Sequence, residues 1–226
     1  HEGYARMSSL DFILEDDDTI STDKGVFLNV TRRLNKKICN YISTSFYDSR
    51  LTSDPITETR SVNLKLDPIK DEGLFYVPID HNGCSQRSDE EADLVEKVFN
   101  KIVNKEYKSK NITGKISAKD IMVVAPYNAQ ANNIRERLKK KFKDDVRVGT
   151  IDLFQGQEAK VVLISMTTSD VESLPRHKDF FFSRNRLNVA ISRAQVASII
   201  LFNPKLLYHS PRNIDQIKLI NNFFKI

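Results

Sequence analysis

The stretch RLNVAISRAQVASIILF, Arg186 to Phe202, decides the fold. Its first half spaces small and apolar residues as a helix does, with arginines at positions 186 and 193. Its second half, VASIILF (Val196 to Phe202), is an unbroken apolar run rich in β-branched residues. Such a run suits a strand covered on both faces, the usual state of a strand in a parallel sheet. A helix feeding directly into a buried strand is half of a strand–helix–strand unit.

Five more runs have this character: GVFLNV (Gly25 to Val30), GLFYVP (Gly73 to Pro78), IMVVA (Ile121 to Ala125), VRVGTI (Val146 to Ile151) and VVLISM (Val161 to Met166). Helical patterns fall between them. Leu94, Val95, Val98, Phe99 and Ile102 share one face, as do Tyr127, Ala131, Ile134, Leu138 and Phe142. The alternation predicts an α/β fold, a three-layer sandwich with a mostly parallel central sheet. Residues 1–24 read as an acidic lead-in and 25–212 as the main lobe. The polar stretch 49–67 is an excursion from that lobe, and 213–226 form a closing amphipathic helix.

Of 226 residues, 40% are hydrophobic and 29% charged, as in ordinary globular domains. No apolar run approaches the roughly 20 residues of a membrane span, so no membrane partner is expected. The opening HEGYARMSSL does not read as a signal peptide, and its lack of an initiator Met predicts a piece of a longer protein. Cys39 and Cys84 match no metal-ligand spacing, which predicts reduced thiols and a cytoplasmic setting. The net charge is +5, although residues 1–23 hold seven acidic residues and one base. Lysine-rich stretches at 101–119 and 135–143 read as solvated faces or as a surface for a polyanion.

Nucleotide chemistry in such a sheet normally starts from a phosphate-binding loop. The nearest candidate, SKNITGKIS, has Ser109 where the first glycine belongs and Ile116 where Ser or Thr is required. FILEDDD (Phe12 to Asp18) resembles a strand ending in metal-binding acids, but only three apolar residues lead into it, and a solvated acidic turn is the expectation. No metal site is expected, and the chain alone is not expected to bind and split a nucleotide.

Three junctions between strands and helices carry the chemistry. TIDLFQGQE (Thr150 to Glu158) bends at Gly156, where backbone can approach a ligand closely. Glu158 offers a carboxylate to paired sugar hydroxyls, and Gln155 and Gln157 offer amides. NVTRRLNKK supplies Arg32 and Arg33, and RLNVAISRA supplies Arg186 and Arg193, seven residues apart and nearly on one helix face. Ligands of open α/β sheets sit beyond the carboxyl ends of strands, where these junctions are expected.

These stretches carry a family resemblance. TIDLFQGQE and RLNVAISRA resemble motifs V and VI of superfamily 1 helicases, in the branch of the Upf-one and Dna-two type enzymes. VVAPYNAQ (Val123 to Gln130) resembles that branch's T-P-Y-x-x-Q motif. NVTRRLNKKICNYISTSFYDSRL resembles its Q-Y-R-M-H-P segment and the helix after it. The opening HEGYARMSSLDFIL resembles the segment after motif III in a bacterial group whose members in some cases carry a RecB-like nuclease, which would add a fused nuclease domain as a partner.

In these helicases two RecA-like lobes face each other across ATP, and the first holds the phosphate loop and the Mg2+-binding acids. The resemblance therefore implies a second lobe of P-loop NTPase type without its own phosphate loop. ATP and Mg2+ would be held mainly by the missing N-terminal lobe of the same protein. It implies that Arg33 and Arg193 reach the γ-phosphate and that Glu158 holds the ribose. Gly156 and Gln157 would line the nucleotide, with Arg32 on its base side. Pro126, Tyr127, Asn128 and Thr150 would contact single-stranded DNA or RNA. Three positions depart from the pattern. Arg32 replaces a tyrosine, Asn35-Lys36 replaces His-Pro, and Gln157 replaces the commoner arginine. The alternative function is a RecA-like nucleic-acid-binding or scaffolding module with no live motor.

Overall fold

The computed structural model describes residues 13–14, 17–66, 69, 71–170 and 184–208. The strands are β1 (Val30–Thr31), β2 (Thr52–Ser53), β3 (Ser61–Val62), β4 (Gly73–Pro78), β5 (Glu106–Ser109), β6 (Ile112–Lys115), β7 (Ile121–Val124), β8 (Arg147–Gly149), β9 (Ala159–Ser165) and β10 (Ala194–Phe202). The helices are α1 (Lys36–Phe46), α2 (Asp89–Ile102), α3 (Asn128–Phe142) and α4 (Arg184–Ile191).

A five-stranded sheet, wholly parallel, runs in the order β4-β10-β9-β7-β8. Its apolar runs are continuous because helices cover both faces. Along β9 the burial alternates: Val162 and Ile164 face a core built with Ile38, Ile42, Leu187 and Ile191 of α1 and α4. Val161 and Leu163 face a second core built with Val95, Phe99, Ile134 and Leu138 of α2 and α3. The RecA-like α/β layering read from the sequence is therefore present. Asn35 caps α1 by accepting from the Ile38 N–H at 3.1 Å, and Ser88 caps α2 by accepting from that of Glu91 at 3.1 Å.

GVFLNV does not join the main sheet. Only its last residue enters a strand, β1, which pairs in parallel with β2. Phe27 packs on Tyr47 at the end of α1 with ring centroids 5.8 Å apart, while Val26 and Leu28 are 85% and 82% exposed. The segment thus buries one side only. The stretch that mimics a phosphate loop is instead the β5–β6 hairpin, with Ser109 opposite Ile112 and Gly114 opposite Tyr107. Within the polar stretch from Ser49, β2 pairs with β1 and β3 with β5, burying Thr57, Val62 and Leu64. Residues 1–12 and 15–16 of the acidic lead-in, and the stretch 213–226 expected to form a closing helix, lie outside the described residues. Both cysteines are free thiols, and burial pushes that of Cys39 up to about 11.

Candidate functional site

A parallel sheet has an amino edge and a carboxyl edge, and the three junctions do not share one. Glu158 immediately precedes β9, and Arg193 immediately precedes β10, so both lie at the amino edge. Pro126, Tyr127 and Asn128 follow β7, and Thr150 follows β8, at the carboxyl edge. The expectation of a single carboxyl-edge site is thereby corrected. The physical reason is that the turn Ile151–Phe154 and helix α4 each carry the chain from one edge back to the other. Arg33 joins the amino edge because the N–H of Asn35 donates to the Gln195 carbonyl at 3.0 Å, pinning the start of α1 to that of β10.

Glu158 is the centre of the amino-edge cluster. Arg33 Nε donates to its Oε2 at 2.9 Å, and Gln195 Nε2 donates to its Oε1 at 2.7 Å. Burial raises the Glu158 pKa, but the hydrogen bonds from Arg33 and Gln195 and the charges of Arg33 and Arg60 outweigh it. The carboxyl is left below its ordinary value. Arg33 also donates through Nη1 to the Ser192 carbonyl at 3.2 Å, and its own carbonyl accepts from Arg60 at 2.9 Å. Arg193 donates through Nη1 to the Gln157 carbonyl at 3.2 Å, while its buried Nε has no hydrogen-bond partner among the described residues. Burial first, and then the like charge of Arg33, lowers the Arg193 pKa.

Gln157 and Gly156 complete this edge. Gly156 has φ of +76°, a left-handed conformation suited to glycine, with open space beside it. The Gln157 side chain accepts from Arg147 Nη2 at 2.9 Å, and Arg147 Nη1 also holds the Glu158 carbonyl at 3.1 Å. The Arg147 guanidinium therefore stands beside Gln157, the position that departs from the helicase pattern. Arg32 is held apart from this cluster by an ion pair with Asp54 at 3.2 Å and is 84% exposed. It nevertheless lines one cavity with Phe27, Arg33, Tyr47 and Glu158.

At the carboxyl edge Pro126, Tyr127, Asn128 and Thr150 line a single cavity, which Gln86, Asp152 and Arg186 extend. Burial pushes the Tyr127 phenol up, and a hydrogen bond with Thr168 offsets part of that rise. Neither Tyr127, the N-cap of α3, nor Thr150 makes a side-chain capping bond. Arg186 and Arg193 are not on one helix face, since α4 stops at Ile191 and Arg193 lies in the turn beyond it. Both line a groove that runs along Val189, Asp152 and Gln155 between the two edges.

A buried network behind the carboxyl-edge cavity had no signal in the sequence. His81 Nε2 lies 3.1 Å from Glu91 Oε1, and His81 Nδ1 lies 2.8 Å from Ser169 Oγ. Glu91 Oε2 accepts from Ser165 Oγ at 2.5 Å and from the Thr167 N–H at 2.8 Å. Serine, histidine and glutamate stand in the order of a hydrolase triad. The Ser169, His81 and Glu91 side chains are sealed from solvent, so the network braces the edge and meets no substrate. Among the described residues no group of three or more His, Cys, Asp or Glu is placed to hold a metal ion.

A family model described as an AAA domain matches residues 9–205. The DNA polymerase alpha-associated DNA helicase A of Schizosaccharomyces pombe is 32% identical over 179 residues, covering 74% of this chain and 26% of that protein. An uncharacterized ATP-dependent helicase of Methanocaldococcus jannaschii is 31% identical over 198 residues, covering 80% of this chain and 27% of that protein. The RNA helicase Mov10l1 of Mus musculus is 36% identical over 106 residues, 46% of this chain and 9% of that protein. The chain spans about a quarter of the length of the first two relatives.

Proposed function

Because the chain belongs to the AAA domain family, on its superfamily 1 helicase branch, we propose that it is the second motor lobe of an ATP-dependent helicase acting on single-stranded DNA or RNA. The observation that carries this reading is the amino-edge cluster, where Arg33 and Gln195 hold Glu158 and Arg193 is anchored next to it on Gln157. A module that only bound strands would use basic and stacking residues and would have no need of a carboxylate set among arginines. Arg193, anchored on the Gln157 carbonyl through Nη1, keeps further guanidinium donors for an anionic oxygen arriving from across the cleft.

In this reading ATP and Mg2+ are held mainly by the N-terminal lobe of the same protein, and they supply the phosphoryl group and its charge neutralisation. Glu158 accepts hydrogen bonds from the ribose hydroxyls. Arg33 and Arg193 bring always-charged, forked donors to the γ-phosphate, an arrangement worth about 10³–10⁵ in rate. Since the arginines and the phosphate loop belong to different lobes, hydrolysis requires lobe closure. Nucleic acid occupies the opposite edge, along Pro126, Tyr127, Asn128 and Thr150. The groove beside α4 then connects the two events through one short helix.

The test is Arg193→Ala in the full-length protein. Nucleic-acid-stimulated ATP hydrolysis is expected to fall about 10³-fold or more while strand affinity stays within a few fold. Near-normal turnover would remove the finger role. The chain of residues 1–226 alone is expected to hydrolyse no ATP, and robust turnover by it would overturn the second-lobe reading.

A further inference from the structure

We propose that Gln195 is a positioning residue that, together with Arg33, clamps Glu158 and makes this site select nucleotides by their vicinal sugar hydroxyls. The inference rests on the reading that Glu158 receives the ribose, and it assigns a role to a residue that neither its type nor its place in the sequence singles out.

A glutamate side chain turns about three torsions, and an unrestrained carboxylate would have to be ordered by the incoming sugar at an entropic cost. Here it is ordered beforehand from two sides. Gln195 Nε2 holds Oε1 at 2.7 Å, and Arg33 Nε holds Oε2 at 2.9 Å. The two donors come from the start of β10 and the segment before α1, elements already tied together through the Gln195 carbonyl and the Asn35 N–H. Each oxygen of an ionised carboxylate can accept at about two lone-pair sites. One acceptor site per oxygen thus remains, two in all, on one fixed plane. That pattern matches the two O–H donors of a 2′,3′-diol. A 2′-deoxy sugar would leave one of the two sites unused.

Arg33 engages Glu158 through Nε and sends Nη1 to the Ser192 carbonyl, while Gln195 holds the other carboxylate oxygen. An amide is the fitting partner for this task. It reaches Oε1 from the start of β10 and donates to it at 2.7 Å.

The experiment compares ATP with 2′-deoxy-ATP in nucleic-acid-stimulated hydrolysis by the full-length protein, for wild type, Gln195→Leu and Gln195→Lys. Wild type is expected to favour ATP in kcat/KM. Gln195→Leu should lower kcat/KM for ATP about tenfold, the worth of one hydrogen bond to a charged group. It should barely change the value for 2′-deoxy-ATP, so that the preference collapses. Gln195→Lys keeps a donor facing Oε1 and should retain the preference, which separates positioning from a folding defect. If Gln195→Leu lowers both substrates equally while Gln195→Lys behaves like wild type towards each, the clamp plays no part in sugar selection and the proposal fails. Loss of the preference in both variants would overturn it as well. An absence of preference in the wild-type protein would instead overturn the ribose reading of Glu158 itself.

Discussion

Arg33 Nε and Glu158 Oε2 lie 2.9 Å apart although 125 residues separate them in the chain. Two residues proposed to serve opposite ends of a nucleotide therefore touch each other within the lobe. This contact has a pH signature. The Glu158 carboxyl lies below its ordinary value of 4.5: burial raises it, and the Arg33 and Gln195 hydrogen bonds with nearby arginine charge lower it by more. A folded-state value below the unfolded one contributes stability that is complete above 4.5 and lost as the pH falls through the folded value. With 46% of the Glu158 side chain exposed, screening keeps that contribution under about 1 kcal/mol. Urea unfolding at pH 7 and pH 3 is expected to show wild type losing slightly more stability on acidification than Glu158→Gln. An equal or smaller loss in wild type would refute the pairing as a stabilising contact.

How much of this was legible beforehand divides along physical lines. Val161 to Ile164 could be read as a buried strand because period-2 burial on two helix-covered faces leaves an unbroken apolar run, and the same holds for Val196 to Phe202. Glu158 and Arg193 could be picked out because TIDLFQGQE and RLNVAISRA resemble helicase motifs. The edge that each occupies could not be read, because it depends on whether a connection stays where its strand ends or crosses back. Arg193 escaped the helix pattern for a related reason. Its spacing from Arg186 is helical, yet α4 ends two residues before it. GVFLNV misled because Val26, Phe27 and Leu28 form a consecutive apolar run, and a run of six does not reveal whether a sheet stands ready to cover both sides.

The pair His81 and Glu91 lay beyond reach altogether, since its partners Ser165, Thr167 and Ser169 come from the far side of the sequence. Both side chains are fully shielded from solvent. Nε2 of the ring meets Glu91 Oε1, and Nδ1 meets the Ser169 hydroxyl. Removing the carboxylate would strand the ring, the Ser165 hydroxyl and the Thr167 N–H without an acceptor. Glu91→Ala, which leaves several buried polar groups unsatisfied at about 1–3 kcal/mol each, is expected to cost about 3 kcal/mol or more in urea unfolding. Ser169→Ala, which removes one hydroxyl, is expected to cost about 1 kcal/mol. Comparable small losses for both would show that the network carries little of the stability.

Gly156 offers a cleaner backbone test. Its φ is +76°, and a Cβ placed there meets no heavy atom within 4 Å. Any penalty of Gly156→Ala is thus conformational and not steric crowding by a neighbour. The left-handed region costs an L-residue about 1–2 kcal/mol, and asparagine tolerates it better than alanine. Urea unfolding is expected to rank stability as wild type, then Gly156→Asn, then Gly156→Ala. A neutral Gly156→Ala would mean that the turn before Glu158 relaxes without cost.

Tyr127 carries the last prediction, on the opposite edge. Tyr127 lines the cavity with Pro126, Asn128 and Thr150. Its ring offers an aromatic surface on which a nucleobase could stack. Base–aromatic stacking is worth about 1–3 kcal/mol per base by alanine substitution. Tyr127→Ala in the full-length protein is expected to weaken binding to a single-stranded oligonucleotide about tenfold. Tyr127→Phe keeps the ring and should bind within about twofold of wild type. No charge is removed in either variant, so the salt dependence of binding should keep its slope, whereas the loss of a phosphate contact would lower it. Wild-type affinity in Tyr127→Ala would show that the strand does not pass over this ring. A changed slope would show that the substitution had moved the surrounding backbone and its phosphate contacts.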